Sequence, residues 1–537
     1  MNAEMNTLLP RPRASRSRSA RFSFSLPALL ALLLAAPLLQ ARGPEDSDVV
    51  YFTVERIVVT GDNPLTAEET EALLRPYLGE QAGLLGLQNA ASAVEEAIKA
   101  RGYNFHRVVI PPQRGRREFE LRALEFVIGD VTVDGNTHFD PDNIRAMVPS
   151  LATGATPDSR RLSRDLQRAN RHPAKRLALT MRRSDTPDAV DAVVTVRDES
   201  PRTAFLSLNN RGARDTGEER LTAGLQHSNL FGLDQVLTAS YTTAPGHWDE
   251  VAQYGLTWKM PFNRIATDLT LLGSYSDVDA GIVADFFDVT GQGTVAGAIV
   301  EHTLLNRGRY GHRIQLSLFD KQFENSVDFL GQEIGADVRT RPVTLRYDGE
   351  WLRDDGNVGF HIAWLRNVPQ GSDNSADAYT AARAGAETDW DAWQAGVFLD
   401  KRLGEGWLLR TRVSGQYAGE PLVPGEQFGL GGSGSVRGFL PRAASSDDGV
   451  AGTVELWIPP PSTSLQLLGF VDVARGWREE AQVGEKDDLS LASLGVGMRW
   501  QPTGWLNANL DWGYVIDGET NVESGNHRVH FNLTSVF

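Results

Sequence analysis

The sequence predicts two small α+β modules followed by an all-β transmembrane barrel of about 16 antiparallel strands. Three observations carry this. A β-α-α-β-β pattern occurs twice before residue 200. From Thr203 to Phe537, apolar and polar residues alternate with a period of two. After the N-terminal segment, no run of about 18 apolar residues occurs, so a membrane could be crossed only by strands.

Composition narrows the function. The chain has 537 residues, no cysteine and a formal charge of −16. Disulfide, thiolate and Cys-zinc chemistry are excluded. The acidic balance argues against nucleic acid as a partner, which needs a basic face. All 12 Trp lie between Trp248 and Trp512. That shift divides the mixed first part from the strand-rich second.

Residues 1–41 read as a secretory leader. Arg11, Arg13, Arg16, Arg18 and Arg21 form the basic region, and Leu26 to Leu39 the short apolar region. Cleavage is expected after Ala41, with Leu39 in place of the usual small residue at −3.

The first module is expected over 51–125 and the second over 126–200. Ile57-Val58-Val59-Thr60-Gly61 is echoed 74 residues later by Val131-Thr132-Val133-Asp134-Gly135. Each run ends on a turn glycine and leads into a capped helix. Thr66 precedes Glu69 at capping-box spacing, and Asp140-Pro141 opens the equivalent helix. Second helices are read at Ala90–Ala100 and Arg161–Asn170. Closing strands are read at Arg107–Ile110 and Glu118–Arg122, then at Leu177–Met181 and Ala189–Val196. The opening strand is read as Tyr51–Thr60.

The barrel is expected over 203–537. On Leu465–Ala474, Leu465, Leu467, Val471 and Val473 share one face, opposite Gln466, Phe470 and Asp472. On Val450–Ile458, Val454 and Leu456 oppose Thr453 and Glu455. The same alternation runs through Ser490–Trp500, Leu506–Tyr514 and the last strand, where Val529, Phe531 and Leu533 oppose Arg528, His530 and Asn532. Trp457, Trp500, Trp505 and Trp512 are read as interfacial aromatics at strand ends. Upstream of residue 400, hairpins are read around Leu237–Tyr254, Leu269–Ser274, Arg313–Phe319, Val343–Trp351 and Gly359–Arg366.

One loop stands out. Gly431-Gly432-Ser433-Gly434-Ser435 leads into Val436-Arg437-Gly438-Phe439. A guanidinium in a narrow lumen needs a planar carboxylate partner, and the glycines let the backbone approach the wall. The polar faces of the next strands offer Asp472 first and Glu455 second. An exposed arginine in a Gly/Ser linker is the alternative. Other motifs carry little. Gly431-x-Ser433 has no glycine at 435, so no nucleophile elbow forms. The histidines have no metal spacing. No catalytic residue, metal or cofactor is therefore expected. The basic cluster from Arg160 to Arg176, with Arg164, Arg168 and Arg171 at its centre, reads either as a solvated helix face or as a docking surface for an acidic or unfolded client.

The module pattern, with its Gly-Asn-Thr turn at 135–137, resembles polypeptide-transport-associated (POTRA) domains. The run from Arg164-Asp165-Leu166-Gln167 through Asn170 and Pro173 to Pro201 is similar to the form in two-partner secretion transporters. Val436-Arg437-Gly438-Phe439 resembles the lumenal loop signature of the same superfamily. Phe470-Val471-Asp472 resembles its wall motif, with Ala474 where that motif has glycine. The terminal Phe537 resembles the end of bacterial outer-membrane barrels. The chain is thus identified as resembling the ShlB/FhaC/HecB hemolysin secretion/activation family.

The resemblance implies a transporter in the bacterial outer membrane with periplasmic POTRA domains. Its implied partners are membrane lipids and a secreted exoprotein client, bound by the POTRA domains and passed through the lumen. An outer-membrane insertion factor of the same superfamily is the alternative. Relatives often carry an N-terminal helix that plugs the barrel. About ten residues separate Ala41 from the first strand, too few for a barrel-spanning helix at 1.5 Å per residue, so no plug is expected.

Overall fold

The computed structural model describes residues 52–537, apart from 82, 115–116, 215, 278–280, 284–286, 290–291, 325–326, 330–331, 335–336 and 519–523. The leader over 1–41 and the segment expected to lack a plug helix lie outside the described residues.

The first module opens with two strands, Phe52–Val54 and Arg56–Gly61, rather than one. The break at Glu55 lets the shorter piece pair with Gly79–Gln81, while the longer runs parallel to Glu118–Glu125. Thr66 caps the helix Ala67–Leu74. Its hydroxyl accepts from the Glu69 N–H, and the Glu69 carboxylate accepts from the Thr66 N–H. The next helix runs from Gly83 to Ala100, about two turns earlier than its apolar periodicity indicates. Val94 and Ile98 bury against Leu74 and Leu121.

The second module repeats the plan. Val127–Asp134 runs parallel to Ala189–Asp198, which pairs antiparallel with Lys175–Arg183. Asp140 caps the helix Pro141–Met147, and Asp158 caps Ser159–Ala169. Ile128, Ile144, Leu162, Leu177 and Val194 form the core. The echoed glycines have one job: Gly61 and Gly135 both take positive φ, and a Cβ on either would strike a carbonyl oxygen of the neighbouring strand. Asp198 holds the Gly-Asn-Thr turn by accepting from the N–H groups of Thr137, His138 and Phe139. Burial alone would raise its pKa, but these backbone donors hold it below the ordinary value.

Sixteen antiparallel strands then close into a barrel, from Arg202–Asn209 to His527–Val536. The eighth is interrupted at Arg341 into Val338–Thr340 and Pro342–Arg353. First and last strands pair over Phe205–Asn209 and Asn532–Val536. Ala204 and Phe537 extend the seam by exchanging backbone hydrogen bonds at 3.0 and 2.8 Å.

Side-chain parity is as the alternation requires. Val454, Leu456, Val471, Val473, Val496 and Leu533 stand exposed on the outside, while Glu455, Asp472, Asp511 and His530 are buried inside. An apolar outer band of this kind is the lipid-facing surface of a membrane barrel. Trp457 does not lie in the interfacial belt expected of it. It shares the inward face with Glu455 and donates its indole N–H to that carboxylate at 2.8 Å, so it is a lumenal residue rather than an interfacial one. Trp505, by contrast, is exposed and stacks on Phe537.

Of the segments read as hairpins, Leu237–Tyr254 spans parts of two strands, Gln235–Thr243 and Gln253–Phe262, whereas each of the other four lies within one strand, because these strands run for 10 to 15 residues and a short alternating run covers only part of one. The alternation left Arg202–Asn209, Arg220–Leu230, Gln292–Thr303, Asp391–Gly404 and Trp407–Tyr417 without an individual reading. On Gln292–Thr303 the outward positions Ala296 and Ala298 are small and Val300 is the one large apolar residue on that face, which weakens the pattern.

Candidate functional site

The segment 418–447 joins the strands Trp407–Tyr417 and Asp448–Trp457. A short hairpin, Phe428–Leu430 with Ala444–Ser446, narrows it to a stem. Beyond the stem, Gly431 and Gly432 take positive φ and turn the chain toward the wall. Val436 and Phe439 are fully buried in an apolar cluster with Leu430, Leu491, Val515 and Ala474. Ala474, where the wall motif has glycine, contributes its methyl to this cluster.

Arg437 is 4% exposed and Asp472 is fully buried. Nε donates to Asp472 Oδ2 and Nη2 to Oδ1, both at 2.8 Å. The Arg437 backbone N–H also donates to Oδ2, at 3.0 Å. Nη1 donates to Glu455 Oε1 at 2.7 Å, and Nη2 to Thr453 Oγ1 at 3.0 Å. Asp511 lies 3.8 Å from Nη1 and is itself held by Arg499. The Phe470 ring lies under the guanidinium, 3.4 Å from Cζ to its centroid. A desolvated cation over a ring adds about 1–2 kcal/mol. A planar fork meeting a carboxylate edge-on in this way cannot be reproduced by lysine. Removing one partner leaves an uncompensated buried charge, at a cost of about 3–5 kcal/mol.

The next residue explains the glycine. Gly438 has φ +98°, and its N–H donates to His530 Nε2 at 2.9 Å. That ring nitrogen therefore acts as an acceptor, in a neutral imidazole. Gly513 sits directly behind: a Cβ there would lie 2.6 Å from the Gly438 nitrogen. Two glycines let two backbones touch.

The loop has a second anchor nearer its base. Asp447 is fully buried and accepts from Leu422 N–H at 2.8 Å, Glu479 N–H at 3.0 Å, Gln427 Nε2 at 3.1 Å and Arg383 Nη2 at 2.7 Å. Arg383 follows a seven-residue helix, Ala376–Ala382, in the neighbouring connection. Neither helix nor anchor was read from the sequence. The Ser375 cap was the available signal.

The three arginines read as a docking surface are placed otherwise. Arg164 is turned back onto its neighbour Asp165, at 3.0 and 3.1 Å. Arg168 is buried and paired at 2.5 Å with Asp268 of the barrel. Arg171 donates to Glu301 at 2.9 Å. Two of the three thus form a joint between module and barrel rather than an open face. Lys175 completes the joint, fully buried with Asp234 at 2.5 Å and Asn143 at 2.6 Å. Burial pushes the Lys175 pKa down and that of Asp234 up, and their contact offsets both. His172 Nε2–H donates to the Ser228 carbonyl at 2.8 Å. Burial first, then the Lys175 charge, lowers the His172 pKa to about 3.

Comparison with known proteins bears on the whole chain. Residues 189–500 match the family described as haemolysin secretion/activation protein ShlB/FhaC/HecB, and residues 52–117 match the ShlB-type POTRA domain. The chain is similar to the heme/hemopexin transporter protein HuxB of Haemophilus influenzae, 20% identical over 501 residues, covering 90% of this chain and 86% of HuxB. It is similar to the outer membrane transporter CdiB of Escherichia coli, 23% identical over 456 residues, covering 83% and 75%. A solved CdiB structure from Escherichia coli has the same fold, with a TM-score of 0.76 and 18% identity over 94% of this chain and 93% of that one.

Proposed function

The chain belongs to the haemolysin secretion/activation (ShlB/FhaC/HecB) family, and on that premise we propose that Arg437, Asp472 and Glu455 form the lock that positions its lumenal loop during export of an unfolded exoprotein. The protein is an outer-membrane two-partner secretion transporter with its POTRA region in the periplasm. Such transporters work with secreted exoproteins. The client reaches the lumen through the modules over 51–125 and 126–200, and passes outward through the barrel over 203–537. An extended segment can be taken by backbone pairing at a module's sheet edge, with few side chains read. The residues named here bind and orient; none is assigned catalysis.

The observation that carries this reading is the buried Arg437–Asp472 pair, with Glu455 and Thr453 completing the guanidinium's shell. A loop arginine held by three side chains of the inner wall is a positioned internal element. The test is a client carrying a fast-folding domain that stalls midway in export. Photo-crosslinkers in the lumen trap the stalled exoprotein if the reading holds. Trapping of nascent barrel proteins at the seam instead points to membrane insertion.

A further inference from the structure

The inner wall is not uniform. On the strands Arg220–Leu230, Gln235–Thr243, Gln253–Phe262 and Thr267–Ser276, outward positions carry Leu225, Tyr241, Tyr254, Leu256, Leu271 and Tyr275, all exposed. The opposite parity therefore faces the lumen. It presents Thr222, Gln226, Thr238, Thr242, Thr257 and Ser274. Register places them side by side: Thr222 lies opposite Thr242, and Thr238 opposite both Gln226 and Thr257. Among the described residues, inward charges on these four strands are confined to Arg220 at one end and Lys259 and Asp268 at the other.

Charged pairs stand on other parts of the wall. Arg346 with Asp348 and Arg410 with Asp400 line one part, and Asp472, Glu455 and Asp511 hold the loop tip on another. Thr267–Ser276 is the fifth strand and Leu465–Trp477, which carries Asp472, the thirteenth. In a ring of 16 they stand half a turn apart. Asp472 thus fastens the loop across the lumen from the far end of the neutral wall, whose near end, Arg220–Leu230, stands five strands away.

That wall also has spare hydrogen-bonding capacity. Thr222, Gln226, Thr238 and Ser274 are only half-buried, so their hydroxyl and amide groups remain within reach from the lumen. A hydroxyl both donates and accepts, so it can serve any peptide group whatever side chain follows. A wall without charges neither captures nor repels charged segments. We propose that this hydroxyl- and amide-lined sector is the track along which an extended, unfolded polypeptide slides, rich in uncharged polar residues. The proposal rests on the transport reading and adds to it the surface used and the class of client sequence it fits.

The test uses the cysteine-free full chain in lipid vesicles. Single variants Thr238→Cys and Ser274→Cys report the neutral sector; Gln315→Cys and Ser414→Cys report the charged one. The probe is an uncharged Ser/Thr/Asn/Gly peptide of about 30 residues bearing one activated disulfide, long enough to span the barrel at roughly 3.3 Å per residue. Adducts are normalised to labelling by a small thiol reagent. Adducts at the two neutral-sector positions about fivefold above the others are expected, a ratio that modest preferential contact produces. Equal adducts, an excess in the charged sector, or none where the small reagent reacts would each overturn the track. Secretion in cells by the same variants is read in parallel. Equal adducts with secretion intact overturn the track and leave transport standing.

Discussion

Asp472 holds Arg437 three times, through Nε, through Nη2 and through the arginine's own backbone N–H. One carboxylate thereby fixes both the side chain and the main chain of the loop tip. That double hold makes the loop's position depend on a single wall residue.

Arg437→Ala and Asp472→Asn should each release the tip. A loss of about 3–5 kcal/mol exceeds two decades of population, so the tip becomes open to protease while the barrel remains folded. Secretion should fall by about tenfold or more in each. The double variant should lose no more than either single, because the two act as a unit. Arg437→Lys keeps the charge, loses the fork and should fall between.

Gly513→Ala should mimic Arg437→Ala without touching a charge. Its methyl would meet the Gly438 nitrogen, and both backbones belong to fixed elements. Loop proteolysis combined with heat-modifiable gel mobility separates expulsion of the loop from failure of the barrel to form.

Ala474→Gly restores the glycine of the wall motif and should be destabilising here. It removes a buried methyl from the Val436–Phe439 cluster and frees the strand backbone. A loss of about 1–2 kcal/mol is expected, read as a lower denaturant midpoint.

The joint between the second module and the barrel should loosen in acid. His172 takes up a proton near pH 6.5 when undocked and only near about 3 when docked. Its contribution is complete above about pH 6.5 and is lost progressively as pH falls toward 3, because the undocked state then binds more protons. Hydrogen exchange in Lys175–Arg183 should rise over that window, and less steeply in His172→Gln.

Much of the site was legible because a barrel strand has a period of two. Parity alone set Asp472 and Glu455 inside, and Arg437, between Val436 and Gly438-Phe439, named the other partner. Thr453, Asp511 and His530 share those inward faces. Nothing local marks them as partners, since the stagger between strands decides which inward residues reach Arg437. Phe470 could have been found, two residues before Asp472 on the same face. Arg168 and Arg171 were not legible as a joint. A helical run of arginines reads as solvated, and their acids, Asp268 and Glu301, lie a hundred residues or more downstream. Trp457 misled because a tryptophan at a strand end suits either side of the wall.

The central claim is that this chain exports an exoprotein and does not assemble other barrels. Its most direct test is quantitative proteomics of the native bacterium after deletion of the chain, comparing surface and medium with the outer membrane. Loss of one large exported protein from surface and medium is expected, with the outer-membrane barrels unchanged. Depletion of those barrels with the exported proteins intact would contradict it.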